Sequence, residues 1–227
     1  SSASTPSDGN ETIAESILAR GVEEGVFPGA VGAVGSEKGV LSTTTVGRFT
    51  NDVSSNAMTL TAIFDIASLT KVIATTTAVA ILYQEGHLDL DTPVTSILGD
   101  EFGTPNNGTK AAVTVRHCLT HTAGFAPDPD PWYWNSSFGC PAPEGEPPVP
   151  PAAPLAEDFR CVPMVYASLL AQPLSNIPGE KFLYSDLSFI TLQFVVGKLV
   201  YDRGLVAIPY DLSPACLAAR LDSQHNL

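Results

Sequence analysis

The chain has 227 residues, which at about 150 residues per domain makes one large unit or two small ones and leaves room for a sizeable core. Hydrophobic residues make up 44% and charged residues only 15%, too apolar a composition for a chain disordered throughout. A formal charge of −13 repels phosphate backbones and anionic headgroups, which argues against nucleic acid or a membrane surface as partner.

In chain order, residues 1–11 are polar and predicted to be a disordered tail. Ile13, Ile17, Leu18 and Val22 recur at helical spacing, so a first amphipathic helix is predicted to about Glu24, with Asn10 or Thr12 as its cap and Phe27-Pro28-Gly29 as its stop. Ala30 to Val34 and Gly39 to Val46 read as two antiparallel strands joined by a turn at Ser36-Glu37-Lys38-Gly39. From Thr70 to Tyr83 nearly every side is apolar, which predicts a helix buried in the core and starting at or near Ser68. Its threonines at 75 to 77, and a length short of the roughly 18 to 20 residues that cross a bilayer, exclude it as a membrane span.

Gly86 to Pro93 is predicted to be a turn leading into a capped short helix, and Val113 to Thr120 another short helix ending before His121-Thr122-Ala123-Gly124. Ten prolines between Pro127 and Pro154 mark a long surface loop, taken as an insertion over 126–162 within one domain of residues 12–227. Helical patterning resumes from Val165 to Leu174 and again from Leu187 to Tyr201.

Cys118, Cys140, Cys161 and Cys216 lack the spacing of zinc ligands, and no metal site is expected. Cys118 lies in an apolar segment and reads as a small buried residue, whereas Cys140 and Cys161 bracket the Pro-rich loop and could close it in an oxidising compartment. Sequons at Asn10, Asn107 and Asn135 favour an extracellular or secretory location.

Ser68-Leu69-Thr70-Lys71 places a hydroxyl and an amine three residues apart, hence on one face of a helix. A serine hydroxyl needs a neighbour to take its proton, and a lysine whose pKa is lowered by an apolar pocket can do so. The helix start would add amide donors for charge developing on an attacked carbonyl. The competing reading of the same four residues is a serine cap followed by a solvated lysine.

Further blocks accompany this one in order: Gly25-x-x-Pro28-Gly29-Ala30, Gly86-x-Leu88-x-Leu90-Asp91-x-Pro93-Val94, Leu119-Thr120-His121-Thr122-Ala123-Gly124-Phe125, and Pro178-Gly179-Glu180-Lys181-Phe182-x-Tyr184-Ser185-Asp186-Leu187. Together, over about residues 12 to 200, they resemble the serine β-lactamase-related family of class C β-lactamases, D-Ala-D-Ala carboxypeptidases, family VIII esterases and related acyltransferases. The resemblance implies an α/β (α+β) fold of the β-lactamase/transpeptidase type, a helical subdomain beside an antiparallel sheet, with the sheet incomplete in this chain. It implies an acylated nucleophile at Ser68, a base partner at Lys71 and a second base or proton relay at Tyr184, acting on a small acyl substrate (ester, peptide or lactam) without metal or organic cofactor.

Asp186 stands where the family motif has Asn, and an extra carboxylate there would hold Lys71 charged, which disfavours β-lactams and leaves esters and amides open. Asp186 is also placed on the substrate-binding side, as are Trp132 and Trp134, which either line a substrate entrance or pack the loop. His121 could serve a Ser-His-Asp arrangement with Asp65 or Asp186, but the resemblance implies a structural turn. The family's third motif, Lys-Thr-Gly or His-x-Gly, does not follow Asp186. The expected consequences are a sheet with an open edge and one of three states: completion by a second chain, truncation, or a decayed, non-catalytic site serving binding or assembly.

Overall fold

The computed structural model describes residues 13–104, 106–133 and 161–204. The expectations for the 1–11 tail, the caps Asn10 and Thr12, the sequons at Asn10 and Asn135, Trp134, most of the Pro-rich loop and a Cys140–Cys161 bridge lie outside the described residues. The chain divides into two compact units, residues 1–66 and 67–227.

In the first unit, α1 (Ile13–Glu23) lies against a hairpin of β1 (Gly29–Ser36) and β2 (Gly39–Gly47). Glycine makes the close approach possible, since a Cβ on Gly32 would sit 2.8 Å from Leu18 Cδ1. The strands pair antiparallel from Gly29↔Gly47 to Ser36↔Gly39, with a bulge between Val34 and Gly35, and the turn falls at the predicted four residues. Threonines 43 to 45 supply the β-branched run that suits β2 to a pleated strand. Among the described residues of this unit only Met58 is a buried hydrophobic, and Ile13 and Ile17 of α1 are exposed.

The second unit carries the core. α2 (Thr77–Gln84) follows a π-helical stretch, Lys71–Thr76, and then come α3 (Thr95–Leu98), α4 (Asp100–Gly103), a 3₁₀ segment (Asn106–Ala112), α5 (Val115–Leu119), α6 (Cys161–Ala171) and α7 (Asp186–Asp202). The π-helical stretch has a local cause: Thr76 Oγ1 donates to the Lys71 carbonyl at 2.8 Å, and Thr77 Oγ1 to that of Val72 at 3.3 Å, five residues back. Hydroxyls competing for main-chain carbonyls widen the turn. α5 begins at Thr114, whose hydroxyl accepts from His117 N while its own amide donates to His117 Nδ1, a capping box with histidine in the usual glutamate place.

Two expectations need correction. The helix over 70–83 is not buried: Val72, Ile73 and Ile81 are exposed, and its only buried residues are Val79 and Leu82, three residues apart on one face, with Ala78 packed partly against the core. Its apolar residues run all round, but within the described structure α7 and its neighbours cover a single stripe. α3 also starts without a side-chain cap, its N-terminal amides leading off from Val94.

α7 is the central element, burying ten residues including Leu187, Leu192, Phe194 and Val195. At about 1.5–3 kcal/mol for each large apolar side chain removed from water, it contributes more burial than any other helix among the described residues. Ser185 caps it, its hydroxyl accepting from Ser188 N and donating to the Ala126 carbonyl at 2.7 Å. Cys118 is fully buried, as expected, and desolvation pushes its thiol up to about 12, so it is inert at neutral pH. Lys110 is fully buried too, and its Nζ donates to the carbonyls of Leu169 and Leu170, closing the C-terminal end of α6 from between the rings of Phe102 and Phe125.

Candidate active site

Residues 121–127 run alongside residues 174–186, and this pairing delivers the second half of the site. Gly124 O accepts from Ser175 N at 2.7 Å, Phe125 bridges Leu174, Thr122 O accepts from Gly179 N at 2.8 Å, and Pro127 O accepts from Asp186 N at 2.8 Å. Gly124 has φ +90°, and a Cβ there would lie 2.2 Å from the Asn176 carbonyl, so the close approach requires glycine. Tyr184 and Asp186 are thereby held at the start of α7, the best-anchored helix.

Ser68 and Lys71 come from the start of the other helix. Ala67, immediately before Ser68, has φ +42°, a region costly for any residue with a Cβ and one often found at functional sites. Lys71 Nζ lies 3.0 Å from Ser68 Oγ and 2.8 Å from Asp186 Oδ1, and 5.1 Å from the centre of the Tyr184 ring. Tyr184 hydrogen-bonds with both Ser68 and Lys71. Four sequence-predicted residues, Ser68, Lys71, Tyr184 and Asp186, therefore converge on one ammonium group. Trp132 is exposed and next to the buried Tyr133, and Trp134 lies outside the described residues.

The electrostatics follow from that convergence. Burial draws the Lys71 amine down, but the Asp186 carboxylate and the Tyr184 phenol outweigh it, and the pKa stands above the ordinary lysine value. The expected depression of Lys71 by apolar surroundings is outweighed, because the Asp186 carboxylate lies 2.8 Å from its ammonium. Tyr184 moves the opposite way: hydrogen bonds from Ser68 and then Lys71 favour the phenolate and lower its pKa. Lysine thus stays a cation at neutral pH, and the phenol gains basic character.

His121 supplies a feature that sequence reasoning left as a turn. At φ +56° its carbonyl accepts from Leu183 N at 2.9 Å and its Nδ1 accepts from Ser185 N at 3.1 Å. Its ring packs 4.5 Å from that of Tyr184, 5.0 Å from Phe189 and 6.0 Å from Phe182. Nδ1 is committed to the Ser185 amide, which fits the turn reading rather than a Ser-His-Asp relay. The histidine before a Thr-x-Gly turn was visible in sequence, but its hold on residues 183 and 185 depends on pairing across some sixty positions.

No group of three or more His, Cys, Asp or Glu among the described residues could hold a metal ion. No helix among them is long and apolar enough to cross a membrane.

The Beta-lactamase family model matches residues 14–204. Over 139 residues, 60% of this chain and 28% of the relative, the chain is 29% identical to a protein of Escherichia coli O157:H7 named "Putative D-alanyl-D-alanine carboxypeptidase". A class C β-lactamase mutant superposes with TM-score 0.58 at 18% identity, over 86% of this chain and 44% of that one. A hydrolase with promiscuous acyltransferase activity superposes with TM-score 0.56 at 22% identity, over 83% and 46%. The chain spans less than half the length of each of these relatives.

Proposed function

The chain belongs to the Beta-lactamase family, with its β-lactamase/transpeptidase-like fold, and from that premise we propose that it is a serine hydrolase or acyltransferase working through an acyl-enzyme on Ser68. The observation that carries this reading is the single ammonium of Lys71 within 3.0 Å of Ser68 Oγ, with the Tyr184 phenol bonded to both. Tyr184, as phenolate, takes the Ser68 proton while Oγ attacks the substrate carbonyl carbon. Lys71, held charged by Asp186, stabilises the phenolate. Collapse expels the alcohol or amine, which takes the proton back from Tyr184 and leaves the acyl group on Ser68. Water or another acceptor then reverses the sequence and releases acid or a new ester.

Esters and amides fit this site better than β-lactams, because Asp186 keeps Lys71 fully charged where the family motif has a neutral Asn. Trp132 and Trp134 are proposed to border the substrate entrance. The exposed apolar residues Leu69, Val72, Ile73 and Ile81 favour a companion reading, in which a further segment or a second chain covers this helix and completes the sheet. A secretory location, supported by the sequons, belongs to the proposal and is tested by endoglycosidase sensitivity.

The test is the intact mass of the protein after incubation with a short-chain p-nitrophenyl ester or a β-lactam. The expected result is a single acyl adduct that Ser68→Ala lacks. A folded protein without adduct would favour the non-catalytic, binding reading.

A further inference from the structure

His121 makes three contacts with the segment that carries Tyr184, and no part of the acylation scheme uses it. Its carbonyl receives the amide of residue 183 and its Nδ1 the amide of residue 185, so the main-chain amides of both neighbours of Tyr184 are held by one residue. Its ring lies 4.5 Å from the phenol, tilted by 36°, and is backed by Phe189 and Phe182. A phenol anchored only through its hydroxyl could swing about its own Cα–Cβ bond; the imidazole blocks that swing on one face. Since Nδ1 accepts an N–H, the imidazole proton must be on Nε2.

We propose that His121 is a positioning residue that holds the Tyr184 phenol on Ser68 and Lys71, and that it does so only as the neutral Nε2–H tautomer. The proposal rests on the acylation reading for the meaning of Tyr184, but its geometric content stands apart from it. Protonation of Nδ1 would turn an acceptor into a donor facing the Ser185 amide, and would set a second cation beside Lys71. The charged and titratable groups that face the imidazole are Lys71 from the start of the π-helical stretch, and Tyr184 and Asp186 from the segment entering α7; Phe182 and Phe189 are apolar. Burial, followed by Lys71, lowers the imidazole pKa, while Asp186 pulls it back up, so the neutral form prevails at neutral pH and is lost on acidification.

Two substitutions separate the roles because both suit the positive φ of this position. His121→Asn keeps an acceptor oxygen where Nδ1 stands and does not titrate, whereas His121→Gly removes ring and acceptor together. The experiment follows the Tyr184 ring signal in protein labelled with 13C at tyrosine Cζ, assigned by its loss in Tyr184→Phe, alongside the rate of Ser68 acylation. In the unsubstituted protein, Tyr184 should report a step at the pH where His121 protonates, and the imidazole nitrogens should show the Nε2–H tautomer. His121→Asn should abolish that step and leave the phenol pKa between those of the unsubstituted protein and the Gly variant, since it keeps the acceptor but loses the ring. His121→Gly should return the phenol toward the ordinary tyrosine value and slow acylation by about 100-fold, the scale of a misplaced reacting group. An unchanged Tyr184 titration in His121→Gly, or an Asn variant as impaired as the Gly variant, would overturn the proposal. If Ser68 takes no acyl group in any variant, the acylation reading fails, and the tyrosine and imidazole signals still decide whether His121 positions Tyr184.

Discussion

The π-helical stretch with α2, residues 71–84, and α7, residues 186–202, are both apolar almost throughout, and each presents its N-terminal end to the same cluster of reacting groups. Their surroundings differ. α7 buries ten residues and is capped by Ser185, while the other helix buries only Val79 and Leu82, carries exposed Val72, Ile73 and Ile81, and opens on a widened turn. The site therefore joins an anchored half, Tyr184 and Asp186, to a lightly anchored half, Ser68 and Lys71. The Lys71–Asp186 ion pair, with Lys71 Nζ 2.8 Å from Asp186 Oδ1, is the clasp between them. Because its lysine is largely shielded from solvent, removing one partner of this pair leaves the other charge poorly compensated, which costs more than breaking a surface pair.

Truncating each helix on its long side should widen the contrast most. Leu192→Ala in α7 should cost about 2–5 kcal/mol in urea unfolding, whereas Val72→Ala on the exposed face should change stability by no more than about 0.5 kcal/mol. Equal losses would mean that the exposed face is covered in solution. Next in size, Lys71→Met should cut Ser68 acylation by about 100-fold or more by removing the cation that supports the phenolate, measured as the rate of adduct formation.

A comparison of the two buried amines extends the argument to pH. Burial lowers the Lys110 pKa to about 8 in the folded chain, below its value in the unfolded one, so the unfolded state binds more protons between the two. Stability should rise with pH from about 8 toward the ordinary lysine value of 10.5, and Lys110→Met should abolish that rise. The same variant should cost about 1–3 kcal/mol near neutral pH because it leaves the Leu169 and Leu170 carbonyls without their donor. Lys71 has the opposite sign. Its raised pKa gives a contribution fully present below the ordinary lysine value and lost only as pH climbs through the raised one.

The smallest expected effect is a shift rather than a loss. Asp186→Asn removes the carboxylate that raises both the Lys71 and the Tyr184 pKa, so both limbs of the acylation–pH profile should move to lower pH. A profile that keeps its position would show that Asp186 does not govern the charge of Lys71.

Much of this was legible in the residues. α1, the hairpin, α6 and α7 fall within a few residues of their apolar periodicity, and Ser68, Lys71, Tyr184 and Asp186 meet as their blocks imply. The features that escaped are those set by partners distant in sequence or by competition within one turn. Apolarity on every side of residues 70–83 does not reveal which face is covered. The threonines at 75 to 77 look like ordinary helix residues until the hydroxyls of two of them, Thr76 and Thr77, take carbonyls five positions back. Lys110 sits among Asn, Gly and Thr with nothing to mark it as buried, and its partners are 59 and 60 residues away. The grip of His121 on Leu183 and Ser185 is of the same kind.

The most direct test of the two-helix contrast is amide hydrogen exchange read residue by residue. Amides of Leu192 to Val196 in α7 should exchange only through global unfolding, while those of Val72 to Thr76 should exchange by local opening with a much smaller free energy, and faster still in Asp186→Asn. Equal protection of the two segments, or no response of residues 72–76 to Asp186→Asn, would contradict an anchored half clasped to a loose one.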